Sequence, residues 1–135
     1  MAETAVENLH VELVAADRTV WSGSAAMVIA RTTEGDVGVL RDHAPLLSLL
    51  TEAVVEIQVA DSNEVVVAAV DGGFLSVAAN RVSILSEHVD LGNEVHVEQA
   101  RAELEEARGL IGSDDTAEQR LRHAEARLRA AEKAS

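Results

Sequence analysis

The sequence predicts an α+β protein: an all-β N-terminal part over residues 1–91, then a C-terminal antiparallel two-helix hairpin over residues 92–135. Three observations carry this expectation. Between residues 8 and 91, short apolar–polar alternations recur at near-regular spacing with turn signals between them, which is the pattern of a β-sandwich or barrel. From Val97 the apolar period changes from two to steps of three and four, the spacing of a helix face. The hydrophobic fraction of 47% is mostly Ala, Val and Leu, with Trp21 and Phe74 as the aromatics, so the core is aliphatic and suited to strands.

Taken in order, Leu9, Val11 and Leu13 alternate with His10 and Glu12, and Asp17-Arg18 follows as a turn. Val20-Trp21 and Ala25 to Thr32 flank Ser22-Gly-Ser24, which reads as a second bend. Val37, Val39 and Leu40 lead into a loop shaped by Gly35, Gly38 and Pro45: the glycines can take positive φ, and the proline keeps Ala44 out of the helical region. Val55, Ile57 and Val59 alternate with polar residues, and Asp61-Ser-Asn63 turns the chain into Val65 to Val70 as a hairpin. Asp71-Gly-Gly73 reads as a tight turn before Phe74, Leu75 and Val77, and Asn80-Arg81 turns into Val82 to Leu85.

The helices are expected at about 96–111 and 115–133. Val97, Ala100, Leu104, Ala107 and Ile111 form one seam, and Ala117, Leu121, Ala124, Leu128 and Ala131 form the other. Gly112-Ser-Asp-Asp115 breaks them, and Asp115-Thr-Ala-Glu118 resembles a capping box. Half of the seam positions are alanine, so this hairpin is thinly packed and must lean on the β part.

At 135 residues the chain suffices for one core and a small appendage. A net charge of −13 disfavours nucleic-acid phosphates and anionic membrane surfaces and leaves a neutral or basic protein partner. Residues 118–133 reverse the local sign, with Arg120, Arg122, Arg127, Arg129 and Lys133 against three glutamates. The acidic N-terminus is unlike a signal peptide and no apolar run reaches membrane-span length, which points to a soluble cytosolic chain. Without cysteine there is no disulfide or thiolate chemistry.

His43 beside Asp42 and Arg41 has the make-up of a general base, but no Ser or Cys stands in an activating context, so a structural or interface role is the better reading. His10, His88, His96 and His123 lack metal-ligand spacing. The sequence assigns no catalytic residue and no metal.

Three runs in order carry a family resemblance: Leu13-Val-Ala-Ala-Asp-Arg-Thr-Val-Trp-Ser-Gly23, Gly35-Asp-Val-Gly-Val-Leu-Arg-Asp-His-Ala-Pro-Leu-Leu47, and Val70-Asp-Gly-Gly-Phe-Leu-Ser-Val77 with Asn80-Arg-Val-Ser-Ile-Leu85. With the helical hairpin behind them, the chain resembles the epsilon-subunit family of F-type ATP synthases over nearly its whole length. The family usually has proline at the position of Arg41. The resemblance implies a ten-stranded β-sandwich and a non-catalytic central-stalk rotor subunit that couples gamma to the c-ring, peripheral on the cytoplasmic face of a bacterial membrane. It implies an interface role for Asp36, Arg41, Asp42 and His43. It also implies a hairpin that regulates ATP hydrolysis by opening toward the catalytic alpha and beta subunits, with Arg120, Arg122, Arg127 and Arg129 as contacts. Some members bind ATP at the hairpin; here the matching positions Glu98, Arg101, Ala102 and Arg127 imply at most a weak ATP site, since Glu98 and His123 replace an expected aspartate and arginine. The alternative from another class is a free-standing β-sandwich adaptor whose hairpin binds acidic proteins.

Overall fold

A computed structural model describes residues 8–134, so the acidic stretch used against a signal peptide lies outside the described residues. Seven strands, β1 (Leu9–Val14), β2 (Thr19–Thr32), β3 (Gly35–Val39), β4 (Leu46–Val59), β5 (Val65–Ala78), β6 (Arg81–Leu85) and β7 (Val89–Leu91), precede a 3-10 turn (Gly92–Glu94) and the helices α1 (Val97–Gly109) and α2 (Ala117–Ala134). The sheet runs β1-β6-β5-β4-β2-β3, β7 pairs with β5, and a further β1–β2 pairing joins the path back on itself like a barrel. β1 is antiparallel to β2 and parallel to β6.

The expected ten strands are therefore seven. The reason is that β2, β4 and β5 are each 14 residues long and bend without breaking. β2 pairs with β1 over its first half and with β3 and β4 over its second, bending at register shifts between Ala25 and Met27 and between Ile29 and Thr32. Such bulges let one strand serve two neighbours in succession. Ser22-Gly-Ser24 thus lies inside β2, where Gly23 makes room for the Trp21 ring, 3.0 Å from where a β-carbon would stand. Asp71-Gly-Gly73 lies inside β5 in the same way. Gly72 and Gly73 have φ of 75° and 107°, and a β-carbon on Gly73 would sit 1.9 Å from the Leu85 carbonyl oxygen. The glycines kink β5 and admit β6 at close range.

The 61–63 hairpin forms, with Asp61 at φ 58°. Ala78 pairs with Arg81, so the β5–β6 turn is Ala79-Asn80, both in left-handed conformation, a two-residue connection whose twist suits the strands. Of the proline loop only residues 40–45 are loop. Gly35 has φ 119° at the β2–β3 turn, Gly38 lies in the ladder opposite Ile29, and Asp42 at φ 65° takes the left-handed position instead.

Leu9, Val11 and Leu13 of β1 meet Val28, Val39, Val55, Ile57, Leu75, Val77, Val82 and Ile84 in an aliphatic core. The unbroken run Val66 to Val70 is buried on both faces. Val66, Ala68 and Val70 enter that core, while Val67 and Ala69 point the other way, against Ala126 and Ala130 of α2 and half-buried Val54. Two-sided burial is why alternation vanishes in that run.

α2 therefore has two working faces. Ala117 and Ala124 meet the α1 side, where Ala100 and Ala107 are also fully buried, while Ala126 and Ala130 sit on the sheet. Gly92 lets the 3-10 turn reach the helix: a β-carbon there would stand 2.3 Å from the Ala130 carbonyl oxygen. α1 ends before Ile111, which is exposed. The cap of α2 comes one residue earlier than the sequence pattern suggests, because Asp114 accepts hydrogen bonds from the Thr116 amide and hydroxyl, both at 2.8 Å. Those two bonds, backbone first, with Arg120 nearby, hold the Asp114 carboxyl below its usual range.

Candidate interaction surfaces

The loop at residues 40–45 is fixed at both its backbone and its side chains. The His43 amide donates to the Leu40 carbonyl at 3.1 Å. Asn80 accepts the Asp42 amide at 2.6 Å and donates from its own amide to the Asp42 carboxylate at 3.2 Å, tying the loop to the β5–β6 turn. His43 Nδ1 lies 2.7 Å from the Ala44 carbonyl oxygen, and Arg41 lies 3.7 Å from Asp42. His43 is thus engaged with its own loop through both its ring and its amide.

Asp36 stands apart from these residues. It is at the far end of β3, roughly 10 Å of strand away, and pairs with Arg31 across the β2–β3 ladder through bonds of 2.9 and 3.4 Å. The hydrogen bond and then the charge of Arg31 hold the Asp36 carboxyl below its usual range. The fold thus brings Arg41, Asp42 and His43 together and leaves Asp36 at a different corner.

Beside the loop lies a feature that residue-by-residue reading misses. Leu49 faces Phe74 across the β4–β5 ladder, and Phe74 faces Leu85 across β5–β6, so the three form a row on the outer face of the sheet. Leu47, two residues before Leu49, extends it toward the loop. These side chains are 73% (Leu47), 51% (Leu49), 49% (Phe74) and 46% (Leu85) exposed, and Leu40 of the loop is also exposed. A contiguous apolar row on a sheet face marks a docking surface far better than scattered exposed leucines do. The signal in the sequence is the run Leu46-Leu47-Ser-Leu49-Leu50, apolar on both alternating faces.

The second surface is the contact between the hairpin and the sheet. Arg122 donates to Glu52 of β4 at 3.1 Å, and Lys133 lies 3.4 Å from Glu56 on the same strand. Arg127, with a side chain only 11% exposed, reaches Asp90 of β7 at 3.3 Å and hydrogen-bonds Glu103 of α1, so one guanidinium joins sheet, α1 and α2. Arg120 pairs within the hairpin, with Glu106 at 3.0 Å and Asp114 at 3.7 Å, and Arg129 is exposed. Four arginines read as one basic face are thus sorted by the fold: two hold the hairpin down, one braces it, and one faces solvent. Glu52, Asp90 and Glu103, unremarkable in the sequence, are their partners.

Glu98 and Arg101 pair with each other at 3.2 Å on the exposed side of α1, and Ala102 is exposed beside them. Arg127 is engaged elsewhere, with two carboxylates. The four candidate nucleotide residues do not converge on one cleft in the docked hairpin. Between hairpin and sheet there is instead a cavity of about 250 Å³ lined by Asp71, Glu103, Gln119, Arg120, His123 and Ala124. Among the described residues no helix is long and apolar enough to cross a membrane.

Comparison with known proteins agrees with this architecture. Residues 8–91 match the family model described as the ATP synthase, Delta/Epsilon chain, beta-sandwich domain. The chain is 52% identical over 122 residues to the ATP synthase epsilon chain of Streptomyces avermitilis, covering 90% of this chain and 94% of that one. It is 50% identical over 118 residues to the ATP synthase epsilon chain of Rhodococcus jostii, covering 87% and 96%. Among solved structures, it is similar to a chain of the Euglena gracilis mitochondrial ATP synthase, resolved as OSCP/F1/c-ring, with a TM-score of 0.81 at 25% identity, covering 96% of this chain and 84% of that one. A chain of the central stalk and c-ring of the Tetrahymena thermophila mitochondrial ATP synthase shares the fold, with a TM-score of 0.64 at 16% identity, covering 98% and 100%. By the matched β region and by identity sustained through the helices, the chain belongs to the ATP synthase epsilon-chain family.

Proposed function

We propose that the chain is a non-catalytic rotor subunit of a proton-translocating F-type ATP synthase, seated in the central stalk between gamma and the c-ring. The observation that carries this reading is the apolar row Leu47, Leu49, Phe74 and Leu85 beside the braced loop 40–45. Gamma occupies the apolar row, and Arg41, Asp42 and His43 meet polar loops of the c-ring. The role is mechanical: a close-packed aliphatic barrel carries load between rotor parts with little compression. Asp36, pinned to Arg31, lies on the periphery of that contact. The chain sits on the cytoplasmic face of a bacterial membrane through these partners.

The hairpin regulates hydrolysis. Docked, it is held by Arg122, Arg127 and Lys133; released, it turns these cations, beside the already exposed Arg129 and with Arg120 still paired inside the hairpin, toward acidic surface on the catalytic alpha and beta subunits. Nucleotide is at most a weak regulator, because the carboxylates of Asp90 and Glu103 already occupy Arg127.

Leu49→Asp and Phe74→Asp place charge on an already exposed face, so both variants fold, and each abolishes co-purification with gamma. Arg41→Ala with His43→Ala weakens c-ring association while gamma is retained. Unimpaired gamma binding by both Asp variants overturns this docking face. A chain that brings down neither gamma nor the c-ring is the free-standing adaptor instead.

A further inference from the structure

Among the described residues, the hydrogen bonds that reach loop 40–45 from another element both come from Asn80. Asn80 is itself anchored: its carbonyl accepts the His10 amide of β1 at 2.8 Å, and it sits at φ 63° in the tight β5–β6 turn. From that base its side chain accepts the Asp42 amide at 2.6 Å and donates to Asp42 Oδ1 at 3.2 Å. A carboxamide offers an acceptor and a donor side by side, so it can meet a backbone N–H and a carboxylate together. The other carboxylate oxygen, Oδ2, lies 3.7 Å from Arg41 Nε. Both oxygens of Asp42 thus face groups of this chain, and its φ of 65° belongs to a region that residues other than glycine seldom occupy unless something holds them there. We infer that Asn80 is a positioning residue for the rotor contact: through Asp42 it clasps loop 40–45 in one shape, so that Asp42 serves the contact from within and Arg41 and His43 serve it with their side chains. The role in the contact rests on the proposed seat of this loop on the c-ring, whereas the clasp is a property of the isolated chain.

The loop has little else to hold it. Its internal backbone bond runs from the His43 amide to the Leu40 carbonyl, and Leu40, Arg41, Asp42, Ala44 and Pro45 are all exposed. Such a loop gives up conformational freedom when a partner fixes it, and holding it beforehand in the bound shape removes that cost. One exposed hydrogen bond contributes modestly, so the clasp depends on two bonds converging on a single residue. The shape also sets what the loop offers. His43 Nδ1 faces the Ala44 carbonyl, which can only accept, so Nδ1 carries the proton and the neutral ring keeps Nε2 as an acceptor. Arg41 supplies a cation and His43 an acceptor, with the Asp42 carboxylate tied to Asn80. That combination fits a polar loop carrying both an acceptor and a hydrogen-bond donor.

The test exchanges the two head groups in the full chain and measures binding to its purified cognate c-ring. Asn80→Gly keeps the left-handed turn and removes the arm, and it weakens c-ring association about tenfold while gamma binding is retained. Asn80→Asp sets two carboxylates face to face and weakens association at least as much. Asn80→Asp combined with Asp42→Asn restores a donor opposite an acceptor at unchanged net charge, and returns association to within about twofold of the native chain. A merely structural role for either residue gives no such rescue. In the isolated chain, hydrogen exchange at the residue 42 amide follows the same order: slow in the native chain and the exchanged pair, fast in Asn80→Gly. Amides at Leu75 and Val82 stay protected throughout and report that each variant is folded. Native association by Asn80→Gly, or an exchanged pair that binds no better than Asn80→Asp alone, overturns the positioning role. Equally fast exchange at residue 42 in the native chain and in Asn80→Gly overturns the clasp itself. A native chain that ignores the c-ring overturns the rotor reading and the role in that contact with it, while exchange at residue 42 still decides the clasp.

Discussion

Gly92→Ala is the substitution that tests hairpin docking most directly. The new β-carbon would stand 2.3 Å from the Ala130 carbonyl oxygen, 2.9 Å from its carbon and 2.9 Å from the Ala134 β-carbon. Two of these are backbone atoms of a helix and cannot swing aside, so α2 itself must back away by about 1 Å, forcing Ala126 and Ala130 off Val67 and Ala69. Gly92 does not have positive φ, so the penalty comes from overpacking and not from backbone strain. Overpacking of this kind costs about 1–3 kcal/mol, equivalent to about a 5- to 150-fold shift of the docking equilibrium. Hydrogen exchange reads it as lost protection at Ala124 to Ala130, with the Leu75 and Val82 amides unchanged. Gly109→Ala is the control, since nothing beyond its chain neighbours and its own helix backbone lies within 4 Å of its new β-carbon, and alanine favours the helix. Wild-type protection of α2 in Gly92→Ala would refute the close-docking argument.

Gly73→Ala combines a left-handed φ with a contact of 1.9 Å to the Leu85 carbonyl; a loss of about 3 kcal/mol, seen as a urea midpoint lower by roughly 2 M, is expected. Isothermal titration with ATP should give no micromolar binding, and such binding, lost in Arg101→Ala, would show that the hairpin gathers Glu98, Arg101 and Arg127 after all. The Asp114 cap has a lowered carboxyl pKa, so its contribution is present above the ordinary carboxylate range and disappears as pH falls through the lowered value. The Thr116 amide signal should follow that titration in the native chain and not in Asp114→Asn. Truncation after Leu91 should leave a folded β part that still binds gamma, with Val67 and Ala69 newly exposed; loss of the folded core would make the hairpin part of it.

The alternating strands were legible because one face of each is buried: Leu9, Val11 and Leu13 announce β1 by period alone. The strand count was not legible, because glycine serves two ends that sequence writes alike. At Gly35 it turns the chain, whereas at Gly23 and Gly73 it clears space for a Trp ring and a neighbouring carbonyl inside a continuous strand. The loop 40–45 was recognisable from Pro45, yet its left-handed residue is Asp42 and not Gly38, since the Asn80 contacts that stabilise Asp42 come from 38 residues away. The apolar row was hidden for the same reason: Leu49, Phe74 and Leu85 become neighbours only through the ladder register.

The alanine seam also acquires a different meaning once α2 is seen on the sheet. Read as a two-helix unit, its small residues signal weak packing. In the structure, alanines at 126 and 130 together with Gly92 are what allow a helix backbone to lie close against β5 and the 3-10 turn, so small size gives proximity at that face. The apolar contribution stays modest, because four alanine-sized or valine contacts bury little area. Specificity then falls to the ion pairs of Arg122, Arg127 and Lys133, of which Arg127 alone is largely withdrawn from water. Exposed pairs contribute little and are screened by salt, while a cation shut in with two carboxylates loses far more when one is removed. Arg127 is thus the pivot of the hairpin's contact with the sheet, because it is the cation there that is shut away from water with one carboxylate from each side.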